Sequence, residues 1–170
     1  IAGQGTIALE MLWRQPALDL FLVPLSGGGM LPGIALAAKV IRPSIHVVGV
    51  SIERSPAMLE SVKAGRPVAV EEKDTLADSL LGGIGRENHY TLPLILRYVD
   101  EHVMIGEEEI ARAMAYAFVE HSLVIEGASA VGLAAVQSGK VDVKGKKVAA
   151  VISGSSVDPA LFLKTVRQYT

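Results

Sequence analysis

The sequence contains no cysteine. Disulfides, thiolate metal centres and iron–sulfur clusters are excluded together, and the expected compartment is the cytoplasm. Positive charge is not in excess either: the formal net charge is -2 and no basic stripe runs along the chain, which argues against nucleic acid as a partner. No apolar run reaches the roughly 18 residues that a membrane span needs, and no signal-peptide pattern leads the chain. Repeats, low-complexity tracts and linkers are lacking too. What remains is a chain of 170 residues, half of them hydrophobic, with enough apolar material for a core of two or three layers. That length suits one domain or part of a larger one. Ile1 is not a methionine, and "IAGQGTIALEMLW" reads at once as a loop running into a helix. A fragment, or one piece of a longer polypeptide, is the expectation.

Strand-like and helix-like segments alternate. Thr6 is placed to cap a first helix in "GQGTIALEMLWRQ", with Ile7, Leu9, Met11 and Leu12 at helical spacing behind it. Strands are expected over 18–25, 45–52, 101–105 and 146–153. Helices are expected over 30–41, 55–65, 107–122, 126–139 and 158–168, with a short one within 73–85. Pro32 is tolerated because it falls in a first helical turn, and Gly65 reads as a helix stop. The strands are continuous apolar runs without in–out alternation, which predicts an α/β fold with a mainly parallel open sheet and helices on both faces.

In such sheets ligands sit beyond the carboxyl ends of the strands. Two turns there share one form, strand then small residues then helix: "VPLSGGGMLPG" and "AVISGSSVDPA". At the first, the N–H groups of Ser26, Gly27, Gly28, Gly29 and Met30 can converge on one anion at a helix start. Each such bond contributes about 1.5–3 kcal/mol, so several hold a phosphate without a lysine. The alternative is a tight turn that binds nothing. A dinucleotide fingerprint fits Gly27 and Gly29 but meets Pro32 where its third glycine belongs, although Glu53 stands where a ribose-binding acid would. A Walker loop fails because no Gly-Lys-Ser/Thr follows. Ser153, at the second turn, is a candidate for a hydroxyl pointing into the same crevice, or else a turn or cap serine. The four histidines, His46, His89, His102 and His121, show no ligand spacing.

The motifs "IAGQGTIALE", "VPLSGGGMLPGIA", "TLADSL", "GGIG", "IEGASAVGLAA" and "ISGSSVD", in that order, resemble the fold-type II pyridoxal-phosphate enzymes. Threonine and serine dehydratases and serine racemase form the branch in question. "GVSIERSPAM" with "ADSLLGGIG" is similar to hydroxyectoine-utilization dehydratases. The resemblance runs through nearly the whole chain. It implies pyridoxal 5'-phosphate as cofactor, with residues 26–30 around its phosphate, Ser153 against the pyridine nitrogen and Glu126 near the ring. It also implies a small amino acid as substrate and a homodimer. The activity implied is an ammonia-lyase on a β-hydroxy amino acid of the threonine, serine or hydroxyaspartate type. An amino-acid racemase on the same fold, a non-catalytic nucleotide-binding module and a degenerate relative stand as alternatives.

Three departures from the family pattern matter. Its divalent-cation ligands align with Ser51, Ser55 and Ala57, which lack the carboxylates, so no metal is expected unless Glu53 substitutes. Ser79 stands where relatives have glycine. No lysine of the eight lies in the Ser-x-Lys-x-Arg-Gly type motif that forms the cofactor linkage. The resemblance therefore makes residues 1–170 a single partial domain, the C-terminal portion of the cofactor-binding large domain. The lysine and the small domain are then expected from an N-terminal part, and no catalytic residue from this chain.

Overall fold

In a computed structural model, which describes residues 1–169, four strands form one parallel sheet. They are β1 (Leu20–Pro24), β2 (His46–Ile52), β3 (Glu101–Ile105) and β4 (Val148–Ala150), in the spatial order β3-β2-β1-β4. Seven helices accompany them: α1 (Gly5–Arg14), α2 (Met30–Ile41), α3 (Ala57–Ala64), α4 (Thr91–Tyr98), α5 (Glu107–His121), α6 (Gly127–Gln137) and α7 (Pro159–Val166). Short 3-10 turns occupy Ala2–Gln4 and Asp78–Leu80.

The unbroken apolar runs follow from burial on both faces. Successive side chains of a strand point to opposite sides, and each side has its own core. Leu20, Leu22, Val48, Val50 and Ile52 pack with α5, α6 and α7, while Phe21, Val23 and Val47 pack with α1, α2 and α4. All five residues of β1 are buried. The register pairs Leu20 with His46 on one side and with Val148 on the other, so β1 is an inner strand. Its carboxyl end, Val23 and Pro24, is held by the ladder to β2, opposite Gly49 and Val50.

Three expectations need correction. Thr6 does not cap α1; it lies inside the helix and donates its hydroxyl proton to Gly3 O at 2.8 Å, because a 3-10 turn already leads in. The strand expected over 146–153 is only Val148–Ala150. Its single ladder, to β1, ends where Val151 N–H bonds Leu22 O at 3.0 Å, and Ile152 emerges 41 % exposed. Helix α4 was not expected. "TLPLILRY" carries β-branched and aromatic residues and a proline, yet Pro93 falls in the first turn, where no helical bond is lost. Gly65 does end α3, with a left-handed φ of 67°.

Helix α5 opens with Glu107, Glu108 and Glu109, where the helix dipole favours acids. Burial works against ionisation of Glu109, but Lys140 Nζ at 2.6 Å and Gly106 N–H at 2.7 Å outweigh it and hold its carboxyl below the usual range.

Two outcomes are expected in chemical denaturation. Phe21→Ala empties a fully buried site beside the central strand and should cost about 3–5 kcal/mol. A loss under about 1 kcal/mol would contradict the two-sided core. For Glu109 the folded pKa lies below the unfolded one of about 4.3, so its contribution is present above that value and fades as pH falls through the folded pKa. Glu109→Gln should therefore lower stability near neutral pH and converge with the unsubstituted chain in strong acid.

Candidate active site

The turn after β1 has an unusual main chain. Leu25 N–H still bonds Val50 O at 2.8 Å, and α2 begins at Met30. Between them, the N–H groups of Ser26, Gly27, Gly28, Gly29 and Met30 meet no acceptor among the described residues. The three glycines have different reasons. Gly28 needs to be glycine for folding: its φ is +88°, and a Cβ would lie 2.9 Å from Met58 Cε and from Thr91 Cβ. Gly27 and Gly29 do not. A Cβ on either would meet nothing within 4 Å, so their bareness leaves open space over the free amides.

Helix α4 braces this turn from outside. Thr91 Oγ1 donates to Gly27 O at 3.0 Å and accepts from Asn88 Nδ2 at 2.8 Å, while Asn88 Oδ1 accepts from Leu92 N–H. Sequence reading missed this support. The signal was there: an Asx residue ahead of a proline in a first turn.

Facing the glycine turn, the start of α6 is tied to the segment after β4. Glu126, 9 % exposed, sends its carboxylate across to accept from Ser156 N–H at 2.9 Å. Gly154 is packed so closely that a Cβ there would sit 3.0 Å from Glu126 Oε2. Ser129, 1 % exposed, accepts from the N–H groups of Ser153 and Gly154 at 3.1 and 2.7 Å, and its hydroxyl lies 3.1 Å from that of Ser153. Ser129 was not singled out in the sequence, where "GASAVG" reads as a stripe of small packing residues.

A third wall comes from the irregular segment between α3 and α4. Ser55 donates to Glu71 O at 2.7 Å and accepts from Lys73 N–H at 2.8 Å. Glu107 accepts from Thr75 Oγ1 and, at 2.9 Å, from Leu76 N–H. Leu76 then passes so near α6 that a Cβ on Gly127 would lie 2.1 Å from its carbonyl oxygen. The strap so held delivers Ser79 and Leu80.

These walls enclose a cleft of about 240 Å³ at the carboxyl ends of the strands. Residues 26–30, Ser79, Glu126 and Ser153 all line it, so every residue expected at the cofactor shares one space. No lysine does. A larger open groove, about 910 Å³, runs along α5 and α6 but shares no lining residue with the cleft. Of the charged groups that line it, Glu109 and Arg112 are engaged by Lys140 and Glu108, while Glu120 stands exposed.

The other candidates scatter. Glu53 turns to Lys140 at 3.6 Å, and Pro32 is buried in α2 where a dinucleotide fingerprint needs glycine. Ser51 is buried in β2, and the Ser55 hydroxyl is turned to Glu71 O and Lys73 N–H. His46 meets Glu101, His89 meets Glu87, and His121 packs edge-on against Tyr116. Burial lowers the pKa of His102, against the pull of Glu101. Among the described residues no three acidic or histidine side chains gather as a metal site.

The glycines can be separated by experiment. Gly28→Ala forces a side chain into a left-handed backbone against packed neighbours and should cost about 1–3 kcal/mol of stability. Gly27→Ala meets open space and should stay within about 0.5 kcal/mol. Equal losses would show that the bareness of Gly27 serves folding.

Comparison with known proteins agrees with this geometry. Residues 1–154 match the family described as "Pyridoxal-phosphate dependent enzyme". The L-threonine ammonia-lyase of Thermotoga maritima is 46% identical over 158 residues, 93% of this chain and 39% of that protein. The catabolic L-threonine dehydratase of Escherichia coli K12 is 37% identical over 160 residues, 93% of this chain and 48% of that protein. The structure of maize serine racemase superposes with a TM-score of 0.84 at 29% identity, covering 98% of this chain and 51% of that one. The chain thus spans half or less of the length of these curated relatives. The fold is that of the fold-type II branch, and the chain belongs to the pyridoxal-phosphate dependent enzyme family.

Proposed function

We propose that this chain forms the phosphate- and ring-binding part of a pyridoxal-phosphate-dependent ammonia-lyase acting on a β-hydroxy amino acid of the threonine or serine type. One observation supports it above others: five unengaged amides face Ser153 across a single cleft, in a chain of this family. The donor set suits a phosphate ester. It is neutral, preorganised at a helix start and not blocked by any Cβ.

In this reading Ser26–Met30 hold the phosphate and Ser153 meets the pyridine nitrogen. Glu126 keeps the Ser153 segment in place and closes the cleft beside the ring. When bound, the cofactor supplies an electron sink that loosens the bonds at the substrate α-carbon. A neutral serine hydroxyl, unlike a carboxylate, does not hold the ring nitrogen protonated, so the sink is moderate. That suits a reaction in which a β-hydroxyl leaves promptly. Overall, substrate yields a keto acid and ammonia. The lysine that links the cofactor and moves the α-proton is assigned to the part of the relatives' length that this chain does not span. Residues 1–170 are then a portion of the large domain, in a cytoplasmic homodimer.

Activity is tested in the intact protein supplied with pyridoxal phosphate, by its visible absorption band and by ammonia release from threonine, serine and hydroxyaspartate. No band and no ammonia would sink the reading, and accumulation of a D-amino acid in place of ammonia would make it a racemase. Gly27→Ala, which should leave folding intact, is expected to weaken cofactor binding about 10-fold or more, the equivalent of one charge-assisted bond lost. Unchanged cofactor affinity in that variant would remove the phosphate from this turn.

A further inference from the structure

Ser129 lies in the first turn of α6, almost wholly buried, one layer behind the cleft. A serine oxygen offers two lone pairs and one proton. Both lone pairs are engaged, by Ser153 N–H at 3.1 Å and by Gly154 N–H at 2.7 Å. The proton must therefore be donated. Among the described residues the acceptor within reach is Ser153 Oγ, at 3.1 Å. Ser153 then receives on its inner side, and its own proton is directed to the cleft that it lines.

We propose that Ser129 is a positioning residue: its doubly engaged hydroxyl fixes the Ser153 hydroxyl as a donor into the cleft, so that the cofactor's ring nitrogen is held as an unprotonated acceptor. Two N–H groups pulling on one oxygen polarise its remaining O–H, and the effect passes along the pair. Alanine at 129 would leave Ser153 free to rotate. The inference rests on the assignment of Ser153 to the ring nitrogen made above.

The competing account is that Ser129 only ties down the turn at 153–154. Affinity alone does not separate the two, but a ratio of affinities does. The probe is the 1-deaza analogue of pyridoxal phosphate, in which a C–H replaces the ring nitrogen and no acceptor remains. Both ligands are titrated into the intact cofactor-free protein. The unsubstituted protein is expected to favour the natural cofactor about 3- to 10-fold, the range for one neutral hydrogen bond. Ser153→Ala should erase that preference. Ser129→Ala should cut it to about 2-fold or less, and Ser129→Thr, which keeps a hydroxyl, should retain it. Ser129→Gly gives the same reading if the alanine variant does not fold.

A purely structural tie predicts that Ser129→Ala weakens both ligands by one factor and leaves the ratio as it was. That result, with Ser153→Ala losing the preference, overturns the role of Ser129 and leaves the Ser153 contact standing. No preference in the unsubstituted protein overturns the Ser153 contact, and the inference with it.

Discussion

Five main-chain N–H groups without partners, held still, are the constraint around which the molecule is arranged. Unpaired amides are expensive wherever water is excluded, so the turn after β1 has to remain at an open cleft. It also has to remain rigid, since a floppy loop would fold its amides into the helix behind it. Rigidity comes from three directions. The inner strand β1 is clamped on both flanks, Leu25 is bonded to β2, and Thr91 grips Gly27 from the rear. Gly28 alone can take the backbone through its left-handed step in that packed space.

The other two walls are joined through the start of α6. In one turn of helix Glu126 and Ser129 reach the segment after β4, and Gly127 lets the strap carrying Ser79 pass at backbone contact. A helix rich in small residues is what such crowding needs. Gly132, further along, allows the same helix to lie against Leu22 and Ala150 of the sheet. Movement of α6 would thus shift both walls together.

Much of this was legible in the residues. The bounds of α2 read directly from "MLPGIALAAKVI", because a glycine turn before it and Pro32 in its first turn mark the start. The parallel sheet was legible from apolar runs that never alternate. That Ser26–Met30 and Ser153 share one space was legible from two similar turns at strand ends, whereas Glu126 and Ser79 entered only through the family resemblance. Supporting contacts were another matter. Ser129 looks like any small residue until the segment after β4 is laid over it. Thr91 matters only because α4 packs behind the glycine turn, a pairing separated by 64 positions in the chain. The end of β4 was misread because its length is set by the ladder to β1, and apolar composition runs on beyond it.

Ser55 shows how a neutral side chain helps the strap keep its shape. It is a non-glycine residue with φ of 57°, a conformation that costs of order 1–3 kcal/mol. Such strain persists only where surrounding contacts outweigh it. Here the left-handed step aims one buried hydroxyl at both a carbonyl and an amide, Glu71 O and Lys73 N–H. Each bond contributes about 0.5–1.5 kcal/mol, and more is at stake if the partners are left buried and unpaired. The strap is pinned again by Glu107 before it reaches the cleft. With its proton and one lone pair used in this way, Ser55 is committed to holding the strap, and the position of Ser79 depends on hydrogen bonds within the chain.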